Sequence, residues 1–367
     1  MKKLLYLLLS AILLTSCSSK EYTMYEEVSL TAGFDTFLQI QIATQSKEEF
    51  DKEYQKLLTQ YTNYNQLFDI YNDYPNVNNL KTINDKAGIE PVKVDQELID
   101  MLLLTKEFYE ITHHEFDITM GPVLKVWHQY REEGIEANVN GEMGKLPSDQ
   151  ELQAAYACTG WDKVEINDEE NTVFLNEACA SLDVGGVAKG YAAEQLAKTL
   201  EEDNIKTAIV NAGGNNRTVN TKLDGTPWRS LIQNPDGEGG FVAVSALGST
   251  SFVTSGDYQR FYVAEDGNRY SHIIDPRTLY PADKYRSVTV VCQNSAIADI
   301  LSTSLFTLDF EEGLELLQDL QKRYPNDSFE ALWIIDPNKK VDAKNSMELN
   351  GYQIVYTDGL KDAIITK

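Results

Sequence analysis

Histidine is scarce in this chain, with four among 367 residues, and cysteine is as rare: Cys17, Cys158, Cys179 and Cys292 stand far apart. Neither residue recurs at the short spacings that build zinc sites. The cysteines after Cys17 form an odd, scattered set that reads as buried small hydrophobes rather than a disulfide framework. Positive charge is also in deficit. The 32 lysines and arginines face 57 aspartates and glutamates, a formal net charge of −25. That balance argues against nucleic acid and against an anionic membrane surface as partners. An anionic ligand would have to be held by local donors and a metal, because the overall field repels it. After the N-terminal segment no stretch is apolar enough to cross a bilayer, and no internal repeat or low-complexity linker divides the chain. At 42% hydrophobic the sequence can bury a sizeable core.

The N-terminus reads as a targeting segment. "MKKLLYLLLSAILLTSC" begins with Lys2 and Lys3, then runs apolar from Leu4 to Leu14 with Ser10 as the one break. The run is too short to span a bilayer with polar flanks, yet it suits a signal-peptide core. Leu14-Thr15-Ser16-Cys17 resembles a bacterial lipobox, which implies cleavage after residue 16 and acylation of the Cys17 thiol. The alternative is an ordinary signal peptide with a chance cysteine. The expected organisation is a lipoprotein signal peptide over 1–16, a polar lipidated tether over 17–27, and one large unit over 28–367. The expected location is extracytoplasmic, on the periplasmic or outer-surface side, held to the cell membrane by lipid.

Downstream, "FDTFLQIQIAT" alternates as a strand does. "SKEEFDKEYQKLLTQYTNYNQLFDIY" carries helical spacing, with Ser46 and Glu49 as a capping box. Residues 72–88 read as an Asn-rich loop, 95–114 as a helix, and Gly121-Pro122 opens another through Trp127. Residues 131–147 read as a surface loop, and "SDQELQAAYA" as a capped helix. From Trp161 onward strands dominate, until the helix "SAIADILSTSLFTL". Helices and strands mix without regular alternation, so the fold class is α+β in one continuous unit rather than a doubly wound sheet.

Four stretches could carry chemistry. In "LDVGGVAKGYAAE" a strand over 181–184 is expected to run through Gly185-Gly186 into a helix bearing Lys189. Free N–H groups and a helix N-terminus make an anion site there, though the spacing is not that of a Walker A loop. An ordinary glycine-rich turn fits equally well. "VNAGGNN" reads as a tight hairpin. In "SAIADILSTSLF" Asp299 and Thr303 stand at i and i+4, on one helix face. A carboxylate and a hydroxyl so placed can serve a hard cation such as Mg2+, or simply cap and pack. In "RYSHIIDPRTLYP" His272 ends a strand before the Asp275-Pro276 turn. It is either a structural histidine or a general base with a pKa near neutrality. Arg277 beyond it could meet phosphate or a carboxylate. His113 and His114 are neighbours at a helix end and diverge, so they make a poor metal site.

Together, "FDITMGPVLKVW", "LDVGGVAKGYAAE", "VNAGG", "WRSLIQNP", "TSGDYQRFY", "HIIDPRTLYP" and "SVTVVCQNSAIADILSTSLF" closely resemble the ApbE family of flavin transferases. The resemblance runs from about Phe34 to the C-terminus. It implies an ApbE-like mixed fold, with an antiparallel sheet core and surrounding helices as a single catalytic unit. It also implies Mg2+-dependent transfer of FMN from FAD to a Thr or Ser hydroxyl of an exported acceptor protein, with AMP as the leaving group. The acceptor would carry a D-x-x-(S/T)-G-A-(S/T)-like motif, which this chain lacks. The resemblance places Asp299 and Thr303 on Mg2+, with a backbone carbonyl of the Gly186 to Ala188 turn. It places Phe34, Tyr71, Glu115, Phe116, Asp117, Asp183, Lys189 and Ile273 at FAD-contacting positions, and His272 beside the reacting phosphate as general base. Asn215 stands where the family usually has aspartate, and Leu279 where glycine is common. A Cβ disfavours positive φ, so the turn at Leu279 is expected to differ. Mg2+-dependent hydrolysis of FAD, and a lipoprotein that only binds FAD, are the alternative activities.

Overall fold

A computed structural model describes residues 21–237 and 239–366. The signal peptide and Cys17 lie outside the described residues. The chain opens with strands β1 (Thr23–Gly33) and β2 (Thr36–Thr44), then helices α1 (Lys47–Phe68) and α2 (Leu80–Asp85). A two-residue strand β3 (Val92–Lys93) precedes α3 (Gln96–Ile111), α4 (Gly121–Val139) and α5 (Asp149–Tyr156). Next come β4 (Val164–Asn167), β5 (Thr172–Leu175) and α6 (Ala188–Glu202). Strands β6 (Ala208–Ala212), β7 (Asn215–Val219), β8 (Trp228–Gln233), β9 (Gly240–Ala246) and β10 (Ser251–Gly256) follow. The short β11 (Phe261–Val263) and β12 (Arg269–Ser271) lead to β13 (Ser287–Cys292), α7 (Ser295–Thr307) and α8 (Phe310–Arg323). The chain finishes with β14 (Glu330–Ile335), β15 (Ser346–Leu349), β16 (Tyr352–Tyr356) and β17 (Ile364–Thr366).

A nine-stranded sheet, ordered β1-β2-β6-β7-β10-β13-β14-β16-β15, forms the centre, and its pairings are antiparallel. This is the expected α+β class. The period-2 pattern of β2 buries Leu38, Ile40 and Ile42 beneath α1, whose Phe50, Tyr54, Leu57 and Tyr61 recur at helical spacing. Ser46 caps α1, accepting from the Glu49 N–H, but the Glu49 carboxylate accepts from the Gln45 N–H rather than from Ser46, so the expected box is only half formed. Central strand β13 is buried at every position. Val288 and Val290 face the helical layer, whereas Val291 faces a second core under the β8-β9-β17 sheet. A strand covered on both faces reads as a continuous apolar run.

The structure corrects several expectations. Helix α4 continues to Val139, through the first half of the stretch read as a loop over 131–147. Gly134 looks like a breaker, but it is kept because a Cβ there would sit 2.3 Å from the Tyr262 ring. The Asn-rich segment contains α2, started by a reciprocal Asn79–Thr82 capping box. Residues 181–184 form no strand: Leu182 N–H donates to the Asn84 side chain and Asp183 N–H to Ile118 O, so no ladder is available. Strand β1 starts at Thr23, inside the stretch read as tether. Cys158 and Cys179, expected to be buried and unpaired, form a disulfide with Cα atoms 5.5 Å apart. The β4–β5 hairpin pairs Val164 with Leu175 and so brings the flanking cysteines together. Spacing along the chain could not show this. Cys292 is free and buried, as expected.

Candidate active site

One edge of the central sheet collects the chemistry. The β1–β2 turn, the Gly213-Gly214 turn between β6 and β7, and the C-terminal end of β10 all reach this edge, since β10 runs antiparallel to β7. The glycine turn before α6, the face of α7 that carries Asp299 and Thr303 and the segment after β12 close around it, leaving a cavity of about 630 Å³. Apart from Cys17, every catalytic, metal and cofactor residue inferred from the sequence lines this cavity.

Helices α6 and α7 build one wall. They approach so closely at Gly190 that a Cβ would lie 2.4 Å from Ser295 O and 2.5 Å from Asp299 Cβ. This contact lets the Gly190 N–H donate to Asp299 Oδ2 at 2.8 Å. One turn later Glu194 accepts from the Ser295 N–H at 2.8 Å and from Arg217 Nε at 2.8 Å, which pins the start of α7. Burial pushes the Asp299 carboxyl above its ordinary pKa, against the pull of Lys189 and the Gly190 N–H. Thr303 stands one turn further along α7. A Cβ on Gly186 would come 3.2 Å from the Thr303 hydroxyl and 3.0 Å from the Phe116 ring, so glycine keeps the space before that hydroxyl open. The buried side-chain amide of Asn215 faces Asp299 and also helps to hold that carboxyl down.

That donor set, one carboxylate, one hydroxyl and the open backbone at Gly186 and Ala188, fits a hard cation that brings most of its oxygen ligands with it, as Mg2+ does. Among the described residues no group of three or more His, Cys, Asp and Glu is placed to hold a metal by itself.

The second wall comes from the segment after β12 and from α4. His272 follows β12 directly, and Asp275 turns the chain by accepting from the Arg277 N–H. Leu279 adopts φ +63°, so the left-handed turn is kept despite the Cβ. Its carbonyl accepts from the Trp127 indole at 2.8 Å, and its side chain is buried beside Val123 and Trp127. His272 Nδ1 is buried with no hydrogen-bond partner among the described residues, although the Arg260 backbone lies close enough to the ring to oppose the fall of its pKa. Burial, then the charges of Arg131, Arg260 and Lys189, lower the imidazole to a pKa of about 3, so it is neutral at physiological pH.

Several inferred contacts also serve the fold. Glu115 pairs with Arg277 at 2.9 Å and accepts from Thr307, while Asp117 caps the turn at Thr119. Burial raises both carboxyls. Arg277 is committed to Glu115, Asp275 and Glu312, so it does not serve the cavity as a phosphate contact. Asp183 accepts from the Gly185 N–H, and burial raises it against His128, Arg131 and Lys189. Phe34, at φ +55°, packs edge-on to Tyr61, while Tyr71 lies 5.7 Å from the His128 ring at the cavity mouth. Sequence reading missed His128, Arg131 and Arg260, all of which line the cavity. The i, i+3 spacing of the first two would have signalled a shared face had residue 131 been read as helical.

The model of the ApbE family matches residues 34–325. The chain belongs to the ApbE family. A curated relative from Haemophilus influenzae, named FAD:protein FMN transferase, is 30% identical over 251 residues, covering 67% of this chain and 70% of its own. One of the same name from Escherichia coli is 29% identical over 323 residues, covering 85% and 88%. A crystal structure of an ApbE protein from Thermotoga maritima superposes with a TM-score of 0.74 at 26% identity, covering 93% of this chain and 99% of its own. Family membership makes this chain an enzyme of the transferase class, and the antiparallel sheet with its helices is the ApbE fold.

Proposed function

We propose that this protein is an FAD:protein FMN transferase, moving FMN from FAD to a Thr or Ser hydroxyl of an exported acceptor and releasing AMP. The observation that carries the reading is the convergence of Asp299, Thr303, Lys189 and His272 on one cavity in an ApbE fold. In this reaction the acceptor oxygen bonds to the flavin-side phosphorus, the bond to the bridging oxygen breaks, and AMP departs with that oxygen. Asp299 and Thr303 would hold Mg2+, which when bound supplies charge neutralisation for the diphosphate. Lys189 and the N–H groups of the glycine turn position the phosphates at the start of α6. Phe34 and Phe116 offer apolar ring faces to the flat flavin or adenine. The neutral imidazole of His272 accepts the hydroxyl proton. Its low basicity in the free protein comes partly from three cations, and an anionic diphosphate offsets them, raising the pKa when the base is needed.

The lipobox-like segment ending at Cys17 supports an exported, lipid-anchored enzyme, and the Cys158–Cys179 disulfide fits an oxidising compartment. The test is incubation with FAD, Mg2+ and a carrier domain ending in a D-x-x-T-G-A-T tag, followed by mass spectrometry of the carrier. One added FMN on one hydroxyl residue is expected. Free FMN and AMP at full rate with an unmodified carrier would make the protein an FAD pyrophosphatase. Bound, intact FAD without turnover would make it a flavin-binding lipoprotein.

A further inference from the structure

Helix α4 does not end where the cavity ends. One face of it, carried by Leu124, His128 and Arg131, lines the cavity, and helical spacing sets Ile135 and Val139 on that same face. Leu124, His128 and Arg131 are half-buried, Ile135 is 43% exposed and Val139 82%, so the helix leads out through the mouth as it runs. Tyr71, ring-packed on His128 at the rim, is exposed as well. Met143 stays beside the last turn of α4, because the Glu142 N–H returns to Ala137 O and the Gly144 N–H donates to Val263 O, and it too is exposed. The other exposed positions within α4 are polar: Lys125, Gln129, Glu132, Glu133 and Glu136. Glu132 and Glu136 precede Ile135 and Val139 by three residues and so border the apolar ridge. Glu132 is engaged with His128 and Arg131, whereas Glu136 and Glu142 enter no ion pair among the described residues.

Under the transferase reading the incoming hydroxyl belongs to a polypeptide. A cavity of about 630 Å³ is of the size that one small-molecule ligand fills. The acceptor's hydroxyl enters it, while the residues to either side of that hydroxyl stay outside and cross the rim. A helix rises about 1.5 Å per residue, which puts Val139 about 12 Å beyond Arg131. An extended segment advances about 3.3 Å per residue, so about four acceptor residues cover that stretch. We propose that the outer half of α4, with Ile135, Val139 and Met143, is the docking surface for the segment flanking the acceptor hydroxyl, and that it favours apolar side chains interspersed with lysine or arginine. The apolar side chains cover the ridge, and the basic ones answer its acidic border. The overall charge of −25 draws such a segment in. The surface rests on the transferase reading above and concerns residues outside the tag that carries the hydroxyl.

The experiment uses carrier domains that share one Asp-Ala-Ala-Thr-Gly-Ala-Thr tag. One has Lys-Leu-Lys-Leu before the tag, another has Leu-Lys-Leu-Lys after it, and a third has Gly-Ser on both sides. Wild type, the pair Ile135→Ser with Val139→Ser, and the pair Glu136→Lys with Glu142→Lys are assayed on each. Wild type is expected to label one of the Lys-Leu carriers with kcat/KM about 10-fold above the Gly-Ser carrier. The serine pair should erase that preference through KM, with kcat and the Gly-Ser rate unchanged. The lysine pair should weaken it and flatten its dependence on salt. The thermal midpoint and the FAD affinity, read from flavin fluorescence, should stay those of wild type, because the exchanged side chains are exposed. Equal wild-type rates on all three carriers overturn the docking surface, and so does a preference that survives the serine pair. FAD affinity falling with the serine pair overturns it as well, by placing part of the dinucleotide on the ridge. A wild-type dimer that the serine pair dissociates, with the preference unmoved, overturns it in favour of a contact between copies. Wild type labelling none of the carriers defeats the transferase reading itself, and the docking surface with it.

Discussion

On the α6–α7 wall the functional carboxylate already has its partners: Asp299 bonds to the Gly190 N–H, and Glu194 ties the start of α7 to Arg217. On the facing wall His272 Nδ1 has no hydrogen-bond partner among the described residues, and Arg131 is bonded to His128 while the charges of Glu132 and Asp183 act on it. The contrast separates two tasks. If Asp299 and Thr303 hold a cation, as proposed, that wall must keep its geometry whether or not substrate is present, because rearranging a buried carboxylate is costly. Under the proposed reaction the opposite wall would receive the groups that arrive with the reactants, an anion and a hydroxyl.

Asp299→Ala tests the first wall most severely. Transfer should fall about 10³-fold or more, with the thermal midpoint nearly unchanged, since the variant removes a carboxylate that burial disfavours. A large drop in that midpoint would make Asp299 a structural residue and break the comparison. His272→Gln should cost about 10²- to 10³-fold in transfer while FAD still binds. Unchanged transfer would remove the base from the second wall. Glu194→Ala should cost about 3 kcal/mol of stability in denaturant titration, because it strips the chief partner from the buried Arg217. A negligible cost would mean that the first wall needs no bracing.

The smallest effect is a pH dependence. The folded protein holds His272 near pKa 3, well below its ordinary value near 6.5. The unfolded chain therefore binds more protons as pH falls below 6.5, and stability is lost in that window. The stability of wild type relative to His272→Gln should fall by about 2 kcal/mol between pH 6.5 and pH 4.5. A flat difference would show the imidazole to be open to water.

The fold class was legible because its strands alternate cleanly and its helices carry the 3.6-residue period, as in β2 and α1. Lys189, Asp299, Thr303 and His272 stood out by their place at a turn or on one helix face, while Phe34, Tyr71, Glu115, Phe116, Asp117, Asp183 and Ile273 came only from the resemblance to the family; all of them line the cavity. What escaped depended on tertiary contacts. Gly134 hid half of α4 until Tyr262 was seen packing on it, and with that half went Arg131. The Cys158–Cys179 bond needed the β4–β5 hairpin to bring its ends together. Residues 181–184 resembled a strand, but their N–H groups had already found Asn84 and Ile118.

Leu279 puts a side chain on a backbone shape that glycine adopts more easily, at φ +63°. Reverting it to glycine would relieve about 1 kcal/mol of local strain. It would also empty a leucine-sized space beside Trp127, a loss of about 3 kcal/mol. Trp127 is in turn fastened to the Leu279 carbonyl, so the two residues lock each other. Neither can be exchanged alone without loosening the hinge on which the His272 segment is hung.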